Sequence, residues 1–270
     1  MELIDASPRP ALRQPLRIGA VSYLNTVPLV WGMLHGQQQA RAELSFSIPS
    51  LCADRLKDSE TDLGIVPVAE IARNDWQIVS DVGITCSGAV RSILLCSRMP
   101  FRNVKTLAAD ESSRTSVELA RVILRERYGV EPVICPAAPQ LDRMLASADA
   151  ALVIGDPALR IQPESDDCEC LDLGLEWFEL TRLPMVFAAW AGNFGPEEAN
   201  ALQELTRGSY EFGKAHIHEI VEAEYQARGI TAELAREYLT RHIQFEIGPA
   251  QRRGLQAFLE LARLTRGVSV

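Results

Sequence analysis

Short apolar runs alternate with amphipathic segments along the first part of the chain. Strands are predicted at residues 17–22, 43–48 and 61–67, and helices at 28–34, 50–57 and 68–73. A regular alternation of strands and helices predicts a parallel sheet with helices packed on its faces. We therefore interpret this part of the chain as one α/β unit.

The same order of elements returns between residues 106 and 160. Strands are predicted at 106–109, 131–135 and 149–155, and helices at 113–128, 139–146 and 156–160. Residues 62–73 and 149–160 have equal length, and their apolar centres fall at equivalent positions. Such patterns can agree by chance, but the ordered agreement of several elements favours two related lobes.

Further strands are predicted between and after the two repeats, and three helices complete the chain. The strands lie at 78–82, 84–88, 91–97 and 185–190, and the helices at 197–225, 232–242 and 250–266. Helices of this length need a lobe to pack against. We therefore expect lobe one to contain residues 16–98 plus 191–270, lobe two to contain 99–190, and residues 1–15 to form a loosely packed tail.

The fold class that follows is α/β, with two hinged lobes and a ligand-binding cleft between them. Each lobe would hold an open, mostly parallel sheet flanked by helices. With 270 residues, of which 47% are hydrophobic, the chain can bury the core that such lobes require. The net charge of -9 argues against a nucleic-acid-binding surface, but it leaves room for a local anion site.

The chain carries no sign of membrane insertion or export. No apolar run reaches the roughly 18 residues of a membrane-spanning helix. The N-terminal tail contains prolines and lacks the apolar block of a secretory signal. We expect a cytoplasmic protein without a membrane span.

The cysteines and histidines give little support for a metal site. The six cysteines form no Cys-x-x-Cys pair, and the four histidines lack zinc-binding spacing. We interpret all six as free thiols in a reducing compartment. They are Cys52, Cys86, Cys96, Cys135, Cys168 and Cys170.

In open α/β sheets, ligands bind beyond the carboxyl ends of the strands. Polar residues follow several of the predicted strands and are the candidates for the cleft. Lobe one offers Ser22, Tyr23, Asn25, Ser87 and Gly88; lobe two offers residues 110–116, Gly155 and Asp156. The alternative for Ser22 and Asn25 is a loop whose side chains cap the next helix.

The sequence Ser-Ser-Arg-Thr-Ser at 112–116 begins the helix with the clearest amphipathic pattern. Backbone N–H groups and the positive end of the helix dipole meet there, as in sites that bind a carboxylate or phosphate. For any single serine an N-cap is the better interpretation, but five polar residues in a row exceed what capping needs. We expect Asp110 and Glu111 to face solvent or a basic group.

The other candidates also have structural interpretations. Ser87 and Gly88 either complete a donor set or form a turn, and Arg91 is a cleft cation or the partner of a surface acid. Asp156, followed by proline, is best explained as a helix cap, with ligand contact as the alternative. The sequence has no Gly-x-Ser-x-Gly elbow, no P-loop and no Gly-x-Gly-x-x-Gly. An enzyme of this kind would act mainly through hydroxyl, amide and backbone donors.

These motifs resemble those of the chorismate dehydratases, which belong to the futalosine route to menaquinone. The resemblance rests on Ser-Tyr-Leu-Asn-Thr at 22–26, on 62–70, 87–95 and 110–116, and on 151–159 and 172–190. Ala89, Arg182 and Met185 depart from the family pattern at loop and packing positions. The sister enzyme, which makes dihydroxynaphthoate, resembles the family in fold but opens with a Ser-Pro-Cys-Pro-Asn-like motif that is absent here.

The resemblance implies a type II periplasmic-binding-protein-like fold that works as a carbon–oxygen lyase. The implied reaction removes water from chorismate, a dianion, to give 3-[(1-carboxyvinyl)oxy]benzoate, and it needs no metal or redox cofactor. A non-catalytic solute- or effector-binding protein and the sister synthase are the alternatives, because the fold is compatible with all three.

On this interpretation, both walls of the cleft would bind the substrate. Ser113, Arg114, Thr115 and Ser116 would bind one carboxylate, and Ser87 with its neighbours the other. Asn25 would orient the reacting centre or aid departure of the hydroxyl, so that Asn25 and Ser87 are the expected catalytic residues. No protein base is evident, which leaves the substrate's own enolpyruvyl carboxylate as the hypothetical proton acceptor.

Overall fold

The computed structural model describes residues 14–162 and 168–266, so most of the expected N-terminal tail lies outside the described residues. The strands are β1 Leu16–Val21, β2 Ala42–Ser47, β3 Leu63–Pro67, β4 Gln77–Cys86, β5 Ile93–Ser97, β6 Thr106–Asp110, β7 Val133–Ala137, β8 Ala150–Ile154, β9 Glu169–Asp172, β10 Met185–Gly192 and β11 Gln244–Glu246. The helices are α1 Val27–His35, α2 Pro49–Lys57, α3 Val68–Asn74, α4 Thr115–Ile123, α5 Leu141–Ser147, α6 Gly155–Leu159, α7 Leu173–Thr181, α8 Pro196–Ala215, α9 Ile217–Glu224, α10 Ala232–Glu237 and α11 Pro249–Arg266.

The strands form two sheets, one in each lobe. Lobe one contains a six-stranded sheet in the order β11-β4-β10-β3-β1-β2, and lobe two a five-stranded sheet in the order β7-β6-β8-β5-β9. The two predicted repeats occupy equivalent places: β1, β2 and β3 pair in parallel, as do β6, β7 and β8. In both lobes the central strand pairs with the other two.

Both sheets are mixed: most strands of each sheet run in one direction, and β10, β11 and β5 run against them. In lobe one β10 runs antiparallel to β3 and β4, and in lobe two β5 runs antiparallel to β8 and β9. These strands lie next to the crossings between lobes, where no helical crossover connects them in parallel. Local alternation predicts the βαβ units well but carries no information about strands that pair across a long connection.

The crossings differ from the expected boundaries at residues 98 and 190. β5 belongs to the sheet of lobe two and β10 to the sheet of lobe one. The chain therefore passes to lobe two between β4 and β5, at residues 87–92, and returns between α7 and β10, at residues 182–184. Both strands are almost entirely apolar and either lobe could bury them, so their assignment depends on strand pairing.

The C-terminal helices pack on lobe one, as the sequence predicted. α8 lies against α1 and β4, and α11 lies against β10 and also reaches α4 of lobe two. Trp177 and Phe258 meet edge to face in the interior and are both fully buried. Such an aromatic pair contributes about 0.5–1.5 kcal/mol beyond its buried area.

Several element predictions are confirmed, and others need correction. α4 continues as a π-helical turn to Tyr128 and ends at Gly129, whose φ is 69°. The strands predicted at 78–82 and 84–88 are one strand, β4, and the helix predicted at 197–225 is interrupted at His216 between α8 and α9. β9, α7 and β11 were not expected from the sequence.

A disulfide joins Cys96 to Cys170, which corrects the expectation of six free thiols. The two cysteines lie opposite each other in the antiparallel register of β5 and β9. They are separated by 74 positions in the sequence, so only the pairing of the strands brings them together. In the part of the chain that the structure describes, no helix is long and apolar enough to cross a membrane.

Candidate functional site

An open cleft lies between the two lobes. Its lining combines apolar side chains with polar residues, most of them from the two loop regions at 22–26 and 112–116. The lining residues are Val21, Tyr23, Asn25, Thr26, Pro49, Ile65, Pro67, Ile84, Val90, Ser92, Ile93, Ser113, Arg114, Thr115, Ser116, Ile154, Gly155, Phe187 and Ala188. Seven residues of the predicted site are therefore brought together: Tyr23, Asn25, Ser113, Arg114, Thr115, Ser116 and Gly155.

The wall of lobe two is the N-terminal end of α4. Ser113, Thr115 and Ser116 are buried, although each has a polar side chain. The Ser113 Oγ is buried without a hydrogen-bond partner among the described residues, and Ser113 is one of the residues that line the cleft. The first N–H groups of a helix also lack partners within it, so this wall offers donors for an anion.

Arg114 and Thr115 also connect this wall to lobe one. The Arg114 guanidinium lies 3.5 Å from an Asp54 carboxylate oxygen and 3.8 Å from a Glu70 oxygen. The Thr115 Oγ1 accepts a hydrogen bond from the Ala69 N–H at 3.2 Å, which leaves its own proton available. The two lobes are therefore in direct contact beside the cleft.

Asp110 lies behind this wall. We expected its carboxylate to face solvent or a basic group, but it is buried and bonded to Ser112. Its side chain is 1% exposed, and its Oδ1 accepts from the backbone N–H and the hydroxyl of Ser112 at 2.9 and 2.7 Å. Burial raises the pKa of the Asp110 carboxyl, while the hydrogen bonds from Ser112 lower it in part. Glu111 is exposed, as expected.

Tyr23 extends this polar chain into the cleft from lobe one. Its hydroxyl lies 3.1 Å from the Ser112 Oγ. Because Ser112 donates its proton to Asp110, Tyr23 is the donor in this contact, and its oxygen lone pairs remain for a ligand. Burial raises the pKa of the Tyr23 phenol to about 12, so the group stays protonated near neutral pH.

On the other side of the cleft, Asn25 and Ser92 are joined through Tyr238. The Asn25 Nδ2 donates to the Tyr238 Oη at 2.9 Å, and the Tyr238 hydroxyl donates to the Ser92 Oγ at 2.8 Å. Tyr238 is fully buried, and burial raises the pKa of its phenol, which keeps the proton on the donor. The Ser92 hydroxyl proton is consequently free to point into the cleft.

Five residues of the predicted site do not line the cleft. Ser22 and Ser87 are exposed, and the Ser87 Oγ donates to the Gln244 side chain at 3.1 Å.

The Arg91 guanidinium donates to the carbonyl oxygens of Ala158, Leu159 and Ile161. Gly88, with a φ of 108°, forms the turn before it. Asp156 accepts a hydrogen bond from the Leu24 N–H and is ion-paired with Arg228.

Sequence reasoning missed Ser92 and Tyr238. Ser92 lies five positions after Ser87 within the strand-like run 91–97, so the pattern indicated a buried strand and gave no reason to choose it. Tyr238 belongs to a helical segment more than 200 residues from Asn25, and nothing in its neighbourhood points to the cleft. The resemblance at 87–95 included Ser92 and was the one available signal.

The cleft combines hydroxyl and amide donors with a single charged side chain. Among residues 14–162 and 168–266, only Arg114 contributes a charge to the lining. The lining offers no carboxylate, imidazole or amine within the same ranges. The arrangement is suited to hold an anion and to stabilise negative charge, and it contains no group with the ordinary pKa of a general base.

The chain is similar to known proteins over most of its length. A family model described as menaquinone biosynthesis matches residues 16–264. A relative named chorismate dehydratase from Thermus thermophilus is 25% identical, over 92% of this chain and 95% of its own. Another of that name from Campylobacter jejuni is also 25% identical, over 91% of this chain and 96% of its own.

Solved structures with the same fold include solute-binding proteins. A protein from Archaeoglobus fulgidus superimposes with a TM-score of 0.76 at 17% identity and covers 94% of this chain and 98% of its own. The periplasmic aliphatic sulphonate binding protein of Escherichia coli gives 0.62 at 14% identity and covers 93% of this chain and 86% of its own. At these identities the likeness shows the fold, which is that of periplasmic binding proteins.

Proposed function

This chain belongs to the menaquinone biosynthesis family, and we propose that it acts as a chorismate dehydratase. It would be a carbon–oxygen lyase that converts chorismate into 3-[(1-carboxyvinyl)oxy]benzoate and water. The relatives named chorismate dehydratase support this assignment over most of the chain. The observation that carries it is the cleft itself, where a helix N-terminus with an unpartnered serine faces a linked pair of amide and hydroxyl donors.

One carboxylate of the substrate would bind at the start of α4. The Ser113 Oγ is buried without a partner among the described residues, and the Thr115 hydroxyl proton is available beside it. A carboxylate there accepts charge-assisted hydrogen bonds, each worth about 1.5–3 kcal/mol. Arg114 would add long-range attraction, although Asp54 and Glu70 already share its charge.

We assign to Ser92 the part that the sequence analysis gave to Ser87. Ser87 is exposed and bonded to Gln244, whereas Ser92 is 1% exposed and lines the cleft with Asn25. Both Asn25 and Ser92 contact the Tyr238 hydroxyl, so their remaining donors point to one region. These donors would hold the substrate hydroxyl that leaves, or the second carboxylate next to it.

The chemistry needs little from the protein beyond orientation and charge stabilisation. Removing the ring proton beside the ether oxygen leaves an electron pair that is conjugated with the ring carboxylate. The electron pair then expels the neighbouring hydroxyl, which leaves as water after it receives the proton that was removed from the ring. The ring becomes aromatic in this step. Because the described lining holds no carboxylate, imidazole or amine, the enolpyruvyl carboxylate of the substrate is the proposed proton acceptor.

The decisive experiment is incubation of the purified protein with chorismate, followed by chromatographic detection of the aromatic benzoate ether. We expect the ether to form, and Asn25→Ala and Ser92→Ala each to lower its rate at least about a hundredfold. Ser87→Ala is the matched control and should stay within about twofold. Binding of chorismate without turnover would leave a binding protein, and turnover of the cyclic futalosine derivative would favour the sister enzyme.

A further inference from the structure

Asp156 lies just outside the cleft, at the start of α6 in lobe two, and reaches across to lobe one. Its Oδ1 accepts a hydrogen bond from the Leu24 N–H at 3.0 Å, and its Oδ2 is ion-paired with Arg228. The residue is 8% exposed. A buried carboxylate needs partners of this kind, because an ionised group that is buried without them destabilises the fold.

Arg228 supplies that partner from the connection between α9 and α10 of lobe one. Besides Asp156, its guanidinium donates to the Ser22 carbonyl at 2.9 Å and to the Glu224 carboxylate at 2.7 Å. The Arg228 side chain is 14% exposed, so solvent screens these contacts only in part. One arginine therefore ties the Ser22 backbone to an acid of its own lobe and to an acid of the other.

Gly155 adds a close steric contact at the same place. Its φ is 64°, and a Cβ at this position would lie 2.5 Å from the Tyr23 ring. Only glycine allows both this backbone conformation and the approach of the ring. Gly155 and Asp156 together form a contact site in lobe two: the Tyr23 ring packs against Gly155, and the Leu24 N–H donates to Asp156.

The contact site formed by Gly155 and Asp156 supports the short turn that carries Asn25. Leu24–Thr26 is a single 3-10 turn, and its N-cap Tyr23 makes no side-chain capping bond. The turn therefore depends on contacts from outside it: Asp156 holds its first N–H, and Tyr238 holds the Asn25 amide. Separation of the lobes would remove the first of these contacts and leave Arg228 without its partner in lobe two.

We propose that Asp156 and Arg228 are positioning residues that hold the lobes together and place Asn25 for reaction only when the cleft is closed. Neither residue lines the cleft, so both act through the Ser22–Thr26 segment. The kinetic part of this proposal rests on the proposed function, whereas the contact between the lobes does not depend on it.

The test uses the full chain with Asp156→Ala, Arg228→Ala and the double variant. Asp142→Ala is the matched control, because that carboxylate lies in the same lobe with a 96% exposed side chain. The radius of gyration of the unliganded protein, measured by small-angle X-ray scattering, should rise in all three variants but not in the control. If Asp156→Ala does not fold, Asp156→Asn replaces it, since it keeps an acceptor for Leu24 and loses only the charge.

Turnover of chorismate supplies the second measurement. We expect kcat to fall at least about tenfold in each single variant, and the double variant to be no slower than the slower single one. A residue that merely stabilised the fold would lower the melting temperature without this loss of kcat and without this non-additivity. Scattering and kcat equal to those of the natural protein would overturn the proposal. Absence of turnover in the natural protein would contradict the proposed function, and scattering would still decide on the contact between lobes.

Discussion

The Tyr238 hydroxyl donates a hydrogen bond to the Ser92 Oγ at 2.8 Å, although the two residues are 146 positions apart in the sequence. The same oxygen accepts from the Asn25 amide, so one buried phenol sets the orientation of two cleft residues, one in lobe one and one in the crossing at 87–92. The geometry leaves the Ser92 proton and the second Asn25 N–H for a ligand. Tyr238 thus directs donors into the cleft without lining it.

Replacing Tyr238 with phenylalanine should therefore slow catalysis. The variant removes one acceptor and one donor and leaves the ring in place, so kcat should fall about ten- to a hundredfold with a smaller change in KM. Steady-state kinetics with chorismate checks this expectation. Tyr225→Phe is the matched control, because its hydroxyl only accepts from Gln226 near the surface. Equal kcat values for both variants would contradict the role of Tyr238.

Ser113→Ala should change stability and binding in opposite directions. The Ser113 Oγ is buried without a partner among the described residues, so its removal should raise the free energy of unfolding by up to about 1 kcal/mol. The same change removes a donor to the substrate carboxylate and should raise KM about tenfold. Urea unfolding and steady-state kinetics measure the two effects.

Ser87→Ala is the control for that variant, because Ser87 is exposed and bonded to Gln244. It should leave KM within about twofold of the natural protein. A loss of stability in Ser113→Ala, or an unchanged KM, would show that the hydroxyl has a structural partner and does not serve the ligand.

The buried carboxyl of Asp110 should make stability depend on pH. Burial raises its pKa in the folded state, so the folded protein keeps this proton to higher pH than the unfolded chain. The contribution of Asp110 to the free energy of unfolding is therefore greatest below about pH 4 and decreases as pH rises through the folded-state pKa.

Urea unfolding across this range, with Asp110→Asn beside the natural protein, checks the sign. The difference in stability between the natural protein and the variant should shrink or reverse as pH rises, since asparagine does not ionise. Asp142→Asn is the control, because its carboxylate is almost fully exposed. Parallel pH profiles for the natural protein and Asp110→Asn would refute the effect.

The disulfide between Cys96 and Cys170 should be visible both chemically and thermodynamically. Alkylation without reduction, followed by mass spectrometry, should leave these two cysteines unlabelled. Reduction should lower the free energy of unfolding by about 2–4 kcal/mol, because the bond closes a long loop of the unfolded chain. Cys135→Ser, at an exposed position, should change neither result. Labelling of Cys96 before reduction would exclude the bond.

Much of the fold follows from local patterns. The repeat of strand and helix, the start of α4 near residue 113 and its end at Gly129 come from periodicity and glycine placement, which act over a few residues. The polar walls at 22–26 and 112–116 were also predictable, because the carboxyl ends of parallel strands gather at one edge of a sheet. Tyr23, Asn25 and Ser113 were found in this way.

Other features depend on which distant segments meet. The direction of β5 and β10 is set by pairing across the crossings, and the disulfide is set by the register of β5 and β9. A local pattern reports how a segment buries its side chains, but not which partner covers it. Local patterns therefore could not predict the antiparallel strands of the mixed sheets or the bond between Cys96 and Cys170.

The same distinction divides the site. By itself the sequence determined the two α/β repeats, the donor-rich start of α4 and the loop that carries Asn25, because each is encoded within a short segment. Only the tertiary structure decided that Ser92 replaces Ser87 at the cleft, that Tyr238 joins it to Asn25, and that Asp156 pairs with Arg228. Each of these contacts joins residues far apart in the sequence, and hydrogen bonds and ion pairs depend on distances that only the packed lobes define.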